Sequence, residues 1–464
     1  MRCAIPGPGG VSAPLLAGTA RVALPLTPGV SLMGYALRQG GARGVLDPLF
    51  ARAVYLRGAS DVLLVSLDLC LVAPSQAAEV RTRIAARTAV PVDRICVACI
   101  HTHSGPDTGL GALVAGGAAP PHVASLLEAA VEAGARAVAS AVPARVGHGT
   151  TRLAIGRNRR CEDGPVDRAA RIVRIDRRDG APLAVIWLHG CHPTVLGHDN
   201  LAISADWPGA ANAAIEIALP GALAVFVLSA HADIDPRTRG LQDLARASRS
   251  LGESAEVMRS IGREAGAAIG TAACAIRANE SDTRIGAASA RVALAVHGGA
   301  DEGAAAEQLA ERRRDALAAL EIDPDTRVRT QELMRRADAL AVTLPAREAR
   351  ERIARVRLYL RDRAAPVFAG GRVAQVEVQA LHIGAAHWLA LPLEPTVRVG
   401  LDWARRQGSE AAVVSIANGW LRYLPHAQDF AEPGAHRGYE ILSSTFEPQA
   451  ATALLEAGEG LHAG

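Results

Sequence analysis

The chain contains no lysine: across 464 residues, all 50 basic side chains are arginine. That absence excludes Schiff-base catalysis, the phosphate-gripping lysine of a P-loop and a carbamylated-lysine bridge between metals. Aromatic residues are scarce, at 3%, which leaves few anchors for a long acyl chain or a bilayer surface. No apolar run reaches the roughly 18 residues that a membrane span needs. The first residues show no basic stretch leading into a clean apolar run, so no secretion signal is read there. An excess of one charge is missing too. The formal net charge is +3 and the one basic block, Arg312–Arg314, reads as a solvated helix face, so nucleic acid is not an expected partner. The seven cysteines (Cys3, Cys70, Cys96, Cys99, Cys161, Cys191 and Cys274) are odd in number and mostly lie in apolar runs, unlike a secreted disulfide framework. A cytoplasmic location without stable membrane insertion is expected. Neither the G-x-S-x-G elbow of serine hydrolases nor an H-E-x-x-H helix occurs.

What is present is a globular composition, 49% hydrophobic and 21% charged. Continuous apolar runs at Val62–Cys70, Ile95–Ile100, Ala184–Leu188, Ala222–Leu228, His387–Leu391 and Ala412–Ile416 read as strands buried on both faces. Phe50–Arg57 and Val373–Leu381 alternate and read as half-buried strands. Amphipathic helices are expected at Gln76–Thr88, Val123–Ala141, Trp207–Leu219 and Thr396–Arg406. Strands alternating with helices give the α/β class, a layered mixed β-sheet core covered by helices. The charged, Ala/Arg/Glu-rich stretch 300–363 has helical period and a stop at Asp323-Pro324-Asp325, and reads as a helical insertion. No linker or repeat divides residues 1–464, so a single domain is expected.

Polar residues of chemical interest follow five of the apolar runs. Ile95–Ile100 leads into His101-Thr-His103-Ser-Gly-Pro; a pair of imidazoles at a strand's carboxyl end, where α/β folds put their sites, suits metal chelation. Cys96 and Cys99 point to opposite faces of the same strand and do not form a zinc knuckle. The run 184–188 leads to His189 and to Cys191-His192-Pro193-Thr194; His192, held extended before proline, suits a ligand, while His189 reads as a strand residue. After Ala222–Leu228 comes Ser229-Ala-His-Ala-Asp233-Ile-Asp235-Pro-Arg237. Its two carboxylates can hold a cation, orient an imidazole or act as a base, or simply form a turn. Glu394 lies between a strand and a helix that Thr396 begins, where an acid is also unremarkable. Asn418-Gly-Trp-Leu-Arg-Tyr423 ends the series. Taken together, these strand ends imply one convergent polar site.

The set HTHSGP at 101–106, CHPT at 191–194 with SADWPG at 204–209, ADIDPR at 232–237, LPLEPT at 391–396 and NGWLRYLP at 418–425 resembles the neutral/alkaline, non-lysosomal ceramidase family, in order and spacing, from Gly34-Tyr35 to Tyr439-Glu440. The resemblance implies an amide hydrolase with one Zn²⁺ per chain, held by His101, His192, Glu394 and Tyr423, with His103 beside them. Tyr423 would bind as phenol or phenolate, or donate to the oxyanion. Beside this set we expect proton transfer by His103 or Asp235, substrate orientation by Arg237 or Asn418, and Asp233, which matches the family's aspartate in its motif, holding His103 or Arg237.

The departures matter as much. The family's third motif reads Gly-Asp-Val-Ser-Pro-Asn, whose serine is the proposed reactive hydroxyl, and here that position is Asp235. Metal-bound water is therefore the expected attacker, with Asp235 as general base or as anchor for a substrate amine. The family's C-terminal β-sandwich domain has no counterpart expected in this chain. With so few aromatics, a small N-acyl or amide substrate is expected rather than ceramide; a homo-oligomer is possible. Two alternatives stand beside this reading: a binuclear amidohydrolase barrel, and a non-catalytic relic that keeps a metal or ligand pocket.

Overall fold

The computed structural model describes residues 14–35, 38–114, 117–161, 163–238, 251–279, 284–296, 373–432 and 439–462. The expected helical insertion at 300–363 lies outside these residues. An eight-stranded mixed sheet forms from β1 (Leu16–Ala23), β2 (Phe50–Arg57), β3 (Asp61–Leu67), β4 (Ile95–Cys99), β5 (Val142–Arg152), β6 (Ala169–Arg177), β7 (Pro182–His189) and β8 (Leu223–Leu228). Its order is β8-β7-β6-β5-β1-β2-β3-β4. A second sheet runs β9 (Ile285–Ala295), β10 (Val373–Ile383), β11 (Ala386–Ala390) and β12 (Ala412–Val414). In the large sheet only β3/β4 and β7/β8 are parallel neighbours; β1/β2, β1/β5, β2/β3, β5/β6 and β6/β7 are antiparallel. The all-parallel barrel of a binuclear amidohydrolase is thereby ruled out.

The apolar runs are continuous because each strand of the large sheet is covered twice. Leu63, Val65 and Leu67 of β3 face helices α1 (Pro74–Thr88), α2 (His122–Ala139), α3 (Asp206–Ala218) and α4 (Leu251–Ala275). Val62 and Leu64 face the small sheet, where they pack with Leu381, Trp388 and Val414. The outer face of the small sheet is covered in turn by α5 (Val397–Gln407) and α6 (Ala450–His462), with Trp403, Leu454 and Leu455 as the filling. The order of layers is helix, sheet, sheet, helix.

Phe50–Arg57 departs from the half-buried reading: Ala51, Ala53 and Tyr55 face the helices while Val54 and Leu56 face the small sheet. Arg52, a polar residue within this strand, is buried and paired with Asp68 at 2.8 Å. Cys96 and Cys99 do lie on opposite faces of β4, one in each core.

The two edge strands of the large sheet approach one another. Ser66 Oγ on β3, the strand beside the β4 edge, donates to Phe226 O on the β8 edge at 2.7 Å. Residues 415–418, leaving β12, wedge between the edges: Ser415 N donates to Leu228 O, Cys99 N to Ile416 O and Asn418 N to Val97 O. This wedge brings the carboxyl ends of β4, β8 and the small sheet to one place.

Candidate metal centre

Beyond Cys99 the chain turns sharply. His101 takes a left-handed φ of 69°, so the two histidines of the motif meet through a turn rather than through strand alternation. Their Nε2 atoms are 3.2 Å apart. His101 is pinned by its N–H to Leu69 O and by Nδ1 to Cys70 O at 2.9 Å, which fixes the proton on Nδ1 and leaves Nε2 facing inward. His103 packs edge-on against Tyr35 at 4.8 Å, and Tyr35 donates its hydroxyl to Leu196 O. Gly34, with φ +108°, lies so close that a Cβ there would stand 2.3 Å from His103 Cγ.

His192 enters from the loop after β7. Its N–H donates to Ile234 O, its Nδ1 bonds the same carbonyl at 3.1 Å, and its own carbonyl accepts from Trp207 Nε1. Asp206, at φ 56°, gathers the Val195, Leu196 and Trp207 N–H groups and so holds the CHPT loop against α3. Glu394 arrives from the small sheet and is fully buried. Trp420 Nε1 donates to its Oε1 at 2.7 Å, which leaves Oε2 as the oxygen turned to the imidazoles. Tyr423 is buried and paired in register with Glu394 in a short parallel bridge, so both occupy one face.

The fourth member is His231, a residue to which the sequence reading gave no role. It lies in the loop after β8, buried, with Nδ1 on Ser229 O at 3.0 Å. Glu394 Oε2 stands 3.3 Å from His101 Nε2, 3.6 Å from His192 Nε2 and 3.5 Å from His231 Nε2. Around a small ion with bonds of about 2.0–2.1 Å, ligand atoms stand roughly 3.3–3.4 Å apart, and the distances from Glu394 Oε2 to the imidazoles come near this. His192 Nε2, His231 Nε2 and Glu394 Oε2 are buried without a hydrogen-bond partner. Burial pushes the His192 and His231 imidazoles down, His231 to about 3, so both offer lone pairs at neutral pH. Burial alone would raise the Glu394 carboxyl, but attraction to His101 and the contacts of all three imidazoles hold it well below the usual carboxylate range. The residues present fit a metal ion.

Asp235 lies beside this group, with Oδ1 at 3.8 Å from His192 Nδ1 and 3.4 Å from Arg159, whose Nε is held by Glu440 at 2.7 Å. Arg159 is a second residue that the sequence reading passed over; its motif, Asn158-Arg-Arg, carries no chemistry until folding places it here.

Three expected residues are employed elsewhere. Asp233 holds neither His103 nor Arg237: its carboxylate accepts from Val397 N at 2.7 Å and Asn158 Nδ2 at 3.0 Å, because the loop after β8 turns it toward the N-terminus of α5. Arg237 faces α4, where it pairs with Glu264 and Ala154 O. Asn418 spends its amide on Val97 N and Gln379 Oε1 within the wedge. His189 remains a strand residue, with Nδ1 on Ala169 O, apart from the cluster.

The fold and site define a layered α/β protein with a buried imidazole–carboxylate cluster of the kind that holds a divalent cation. The family model for neutral/alkaline non-lysosomal ceramidase, N-terminal, matches residues 25–295, more than half of the chain, and the chain belongs to that family of amide hydrolases. The crystal structure of neutral ceramidase from Pseudomonas aeruginosa aligns with a TM-score of 0.69 at 20% identity, covering 96% of this chain and 73% of that one. A ceramidase complexed with C2 aligns at 0.66 and 18% identity, covering 96% and 74%. At these identities the likeness to the solved structures establishes the fold.

Proposed function

We propose that this protein hydrolyses the C–N bond of an N-acyl compound smaller than ceramide. It would do so with one divalent ion, zinc by resemblance to the family, on His101, His192 and Glu394, with Tyr423 at the same centre. The observation that carries the reading is the convergence of imidazole Nε2 atoms on one Glu394 oxygen at 3.3–3.6 Å, with Asp235 alongside. An ion bound there supplies Lewis acidity toward a carbonyl and a water.

The chain's own residues do the rest. Position 235 offers a carboxylate, not a hydroxyl, so no serine-type acyl-enzyme forms; Asp235 takes the proton of the attacking water and returns it to the leaving amine. Arg159, anchored by Glu440, fixes the carboxylate's direction. His103, within reach of His101, orients the water. The phenol of Tyr423 donates to the carbonyl oxygen as negative charge develops. The small proportion of aromatic residues favours a short acyl group.

Metal analysis of wild type, His192→Ala and Glu394→Ala, with hydrolysis of short and long N-acyl amines, tests the reading. Both variants should lose the ion and turnover together, and short substrates should be preferred. Unchanged zinc in both variants would refute the ligand assignment. A bound ion with no hydrolysis across the panel would support the relic reading instead. Asp235→Asn separates the two roles of the carboxylate: loss of a base lowers kcat, and loss of an amine anchor raises KM.

A further inference from the structure

We propose that His231 is a metal ligand of this chain, giving a three-imidazole, one-carboxylate centre in which Tyr423 keeps only its oxyanion role and the working ion is five-coordinate. The proposal rests on the metal reading above and goes beyond it in ligand set and coordination number.

An unpartnered ring nitrogen does not by itself mark a ligand, since His189 Nε2 is also buried without a partner inside its strand; what marks His231 is where its unpartnered nitrogen stands. Its Nδ1 lies on Ser229 O, while its Nε2 is buried, without a hydrogen-bond partner, and 3.5 Å from Glu394 Oε2, an oxygen that also has none. The ring stands 4.5 Å from His192 and 5.3 Å from His101, centroid to centroid, so three imidazoles surround one point. One ligand atom from each of His101, His192, His231 and Glu394 falls within 4.8 Å of the others.

The backbone shows the same registration. His231 N and Ala232 N both donate to Pro395 O at 3.0 Å, the carbonyl next to Glu394, and Ile234 N donates back to His231 O at 2.7 Å. The loop after β8 is thus fastened to the segment that carries the carboxylate.

Four protein donors are as many as a closed site of the structural kind uses, whereas catalysis needs a further position for water or substrate. With His231 in place, that position is a fifth one, and ions that accept five or six donors, Mn²⁺, Fe²⁺ and Co²⁺, are accommodated at least as well as Zn²⁺.

Co²⁺ substitution of the full chain tests this, since visible d–d bands strengthen as coordination falls from five to four. Wild type should show the weaker five-coordinate bands. His231→Ala should strengthen them severalfold and weaken Co²⁺ affinity tenfold or more, and Tyr423→Phe should change neither. Should His231→Ala fail to fold, X-ray absorption of the Zn²⁺ or Co²⁺ form of wild type counts the imidazoles: three support the assignment, two overturn it. Bands and affinity unchanged in a folded His231→Ala, with metal lost from Glu394→Ala, would overturn the His231 role while leaving the metal reading intact. No uptake of Zn²⁺, Co²⁺ or Mn²⁺ by wild type would overturn both.

Discussion

Single side chains set the geometry of this site through contacts that never reach a substrate. Trp420 fixes which oxygen of Glu394 turns inward, by its 2.7 Å hydrogen bond to Oε1. Trp420→Phe keeps an aromatic ring, though a smaller one, and removes the donor. Metal affinity should fall roughly 10–100-fold, as for other lost supports of a ligand, measured by competition with a chromophoric chelator; unchanged affinity would show that the indole only fills space. Gly34 acts by having no side chain. At φ +108° and against the His103 ring, Gly34→Ala should displace His103 and lower kcat, and should lower the thermal unfolding midpoint as well, since an L side chain is strained at that φ. The role of these residues was not legible in the sequence, because a hydrogen bond from position 420 to 394 or a clash between 34 and 103 exists only after folding. His101 and His192 were legible because each ends an apolar run with a side chain that has little reason to be there otherwise.

At the level of elements, paired strands carry buried charge that local pattern misreads. Arg52 on β2 and Asp68, just past β3, meet at 2.8 Å in a dry interior, and burial pushes the Asp68 carboxyl up against the pull of Arg52. Asp68→Ala would leave a buried guanidinium uncompensated and should cost about 3–5 kcal/mol, read as a lower urea midpoint with far-UV structure retained at low denaturant.

The β10–β11 hairpin makes a second case. His382 and His387 are direct cross-strand partners with ring centroids 4.9 Å apart. Burial, followed by the charges of His387 and Arg284, pushes His382 down to about 4. The folded state therefore resists protonating His382, and the associated stability is present above the unfolded value near 6.5 and is lost as pH falls toward 4. The difference in urea stability between wild type and His382→Gln should shrink by on the order of 2 kcal/mol from pH 7.5 to pH 4, after discounting for partial exposure. A difference that is constant with pH would show that protonation of the pair is not linked to folding. Alternation on β10 and the apolar run on β11 announced strands but not this pairing, since register is set by the turn at Gly384-Ala385.

The molecule as a whole is organised so that the site exists only when both sheets are docked. His101, His192 and His231 follow strands of the large sheet, and Glu394 follows the small one. Arg81 on α1 spans the layers to Glu377 on β10 with two contacts of 2.8 and 2.9 Å. An ion on this set would tie the sheets together and stabilise the native state by mass action, about 2.7 kcal/mol at a hundredfold excess over Kd. Stripping metal with a chelator should lower the melting temperature by several degrees in wild type and leave Glu394→Ala unmoved; equal shifts in the two would place the metal elsewhere. No described helix is long and apolar enough to cross a membrane.

By itself the sequence determined the layers and the strand ends. Apolar runs covered on both faces have no other stable arrangement, and polar residues placed just beyond them mark where a site can form. Only the tertiary structure decided which of those polar residues converge. It turned Asp233, Arg237 and Asn418 into supports of the fold and brought His231 and Arg159 to the centre, because the direction of a loop side chain depends on the backbone carbonyls it meets, and these come from strands far away in the chain.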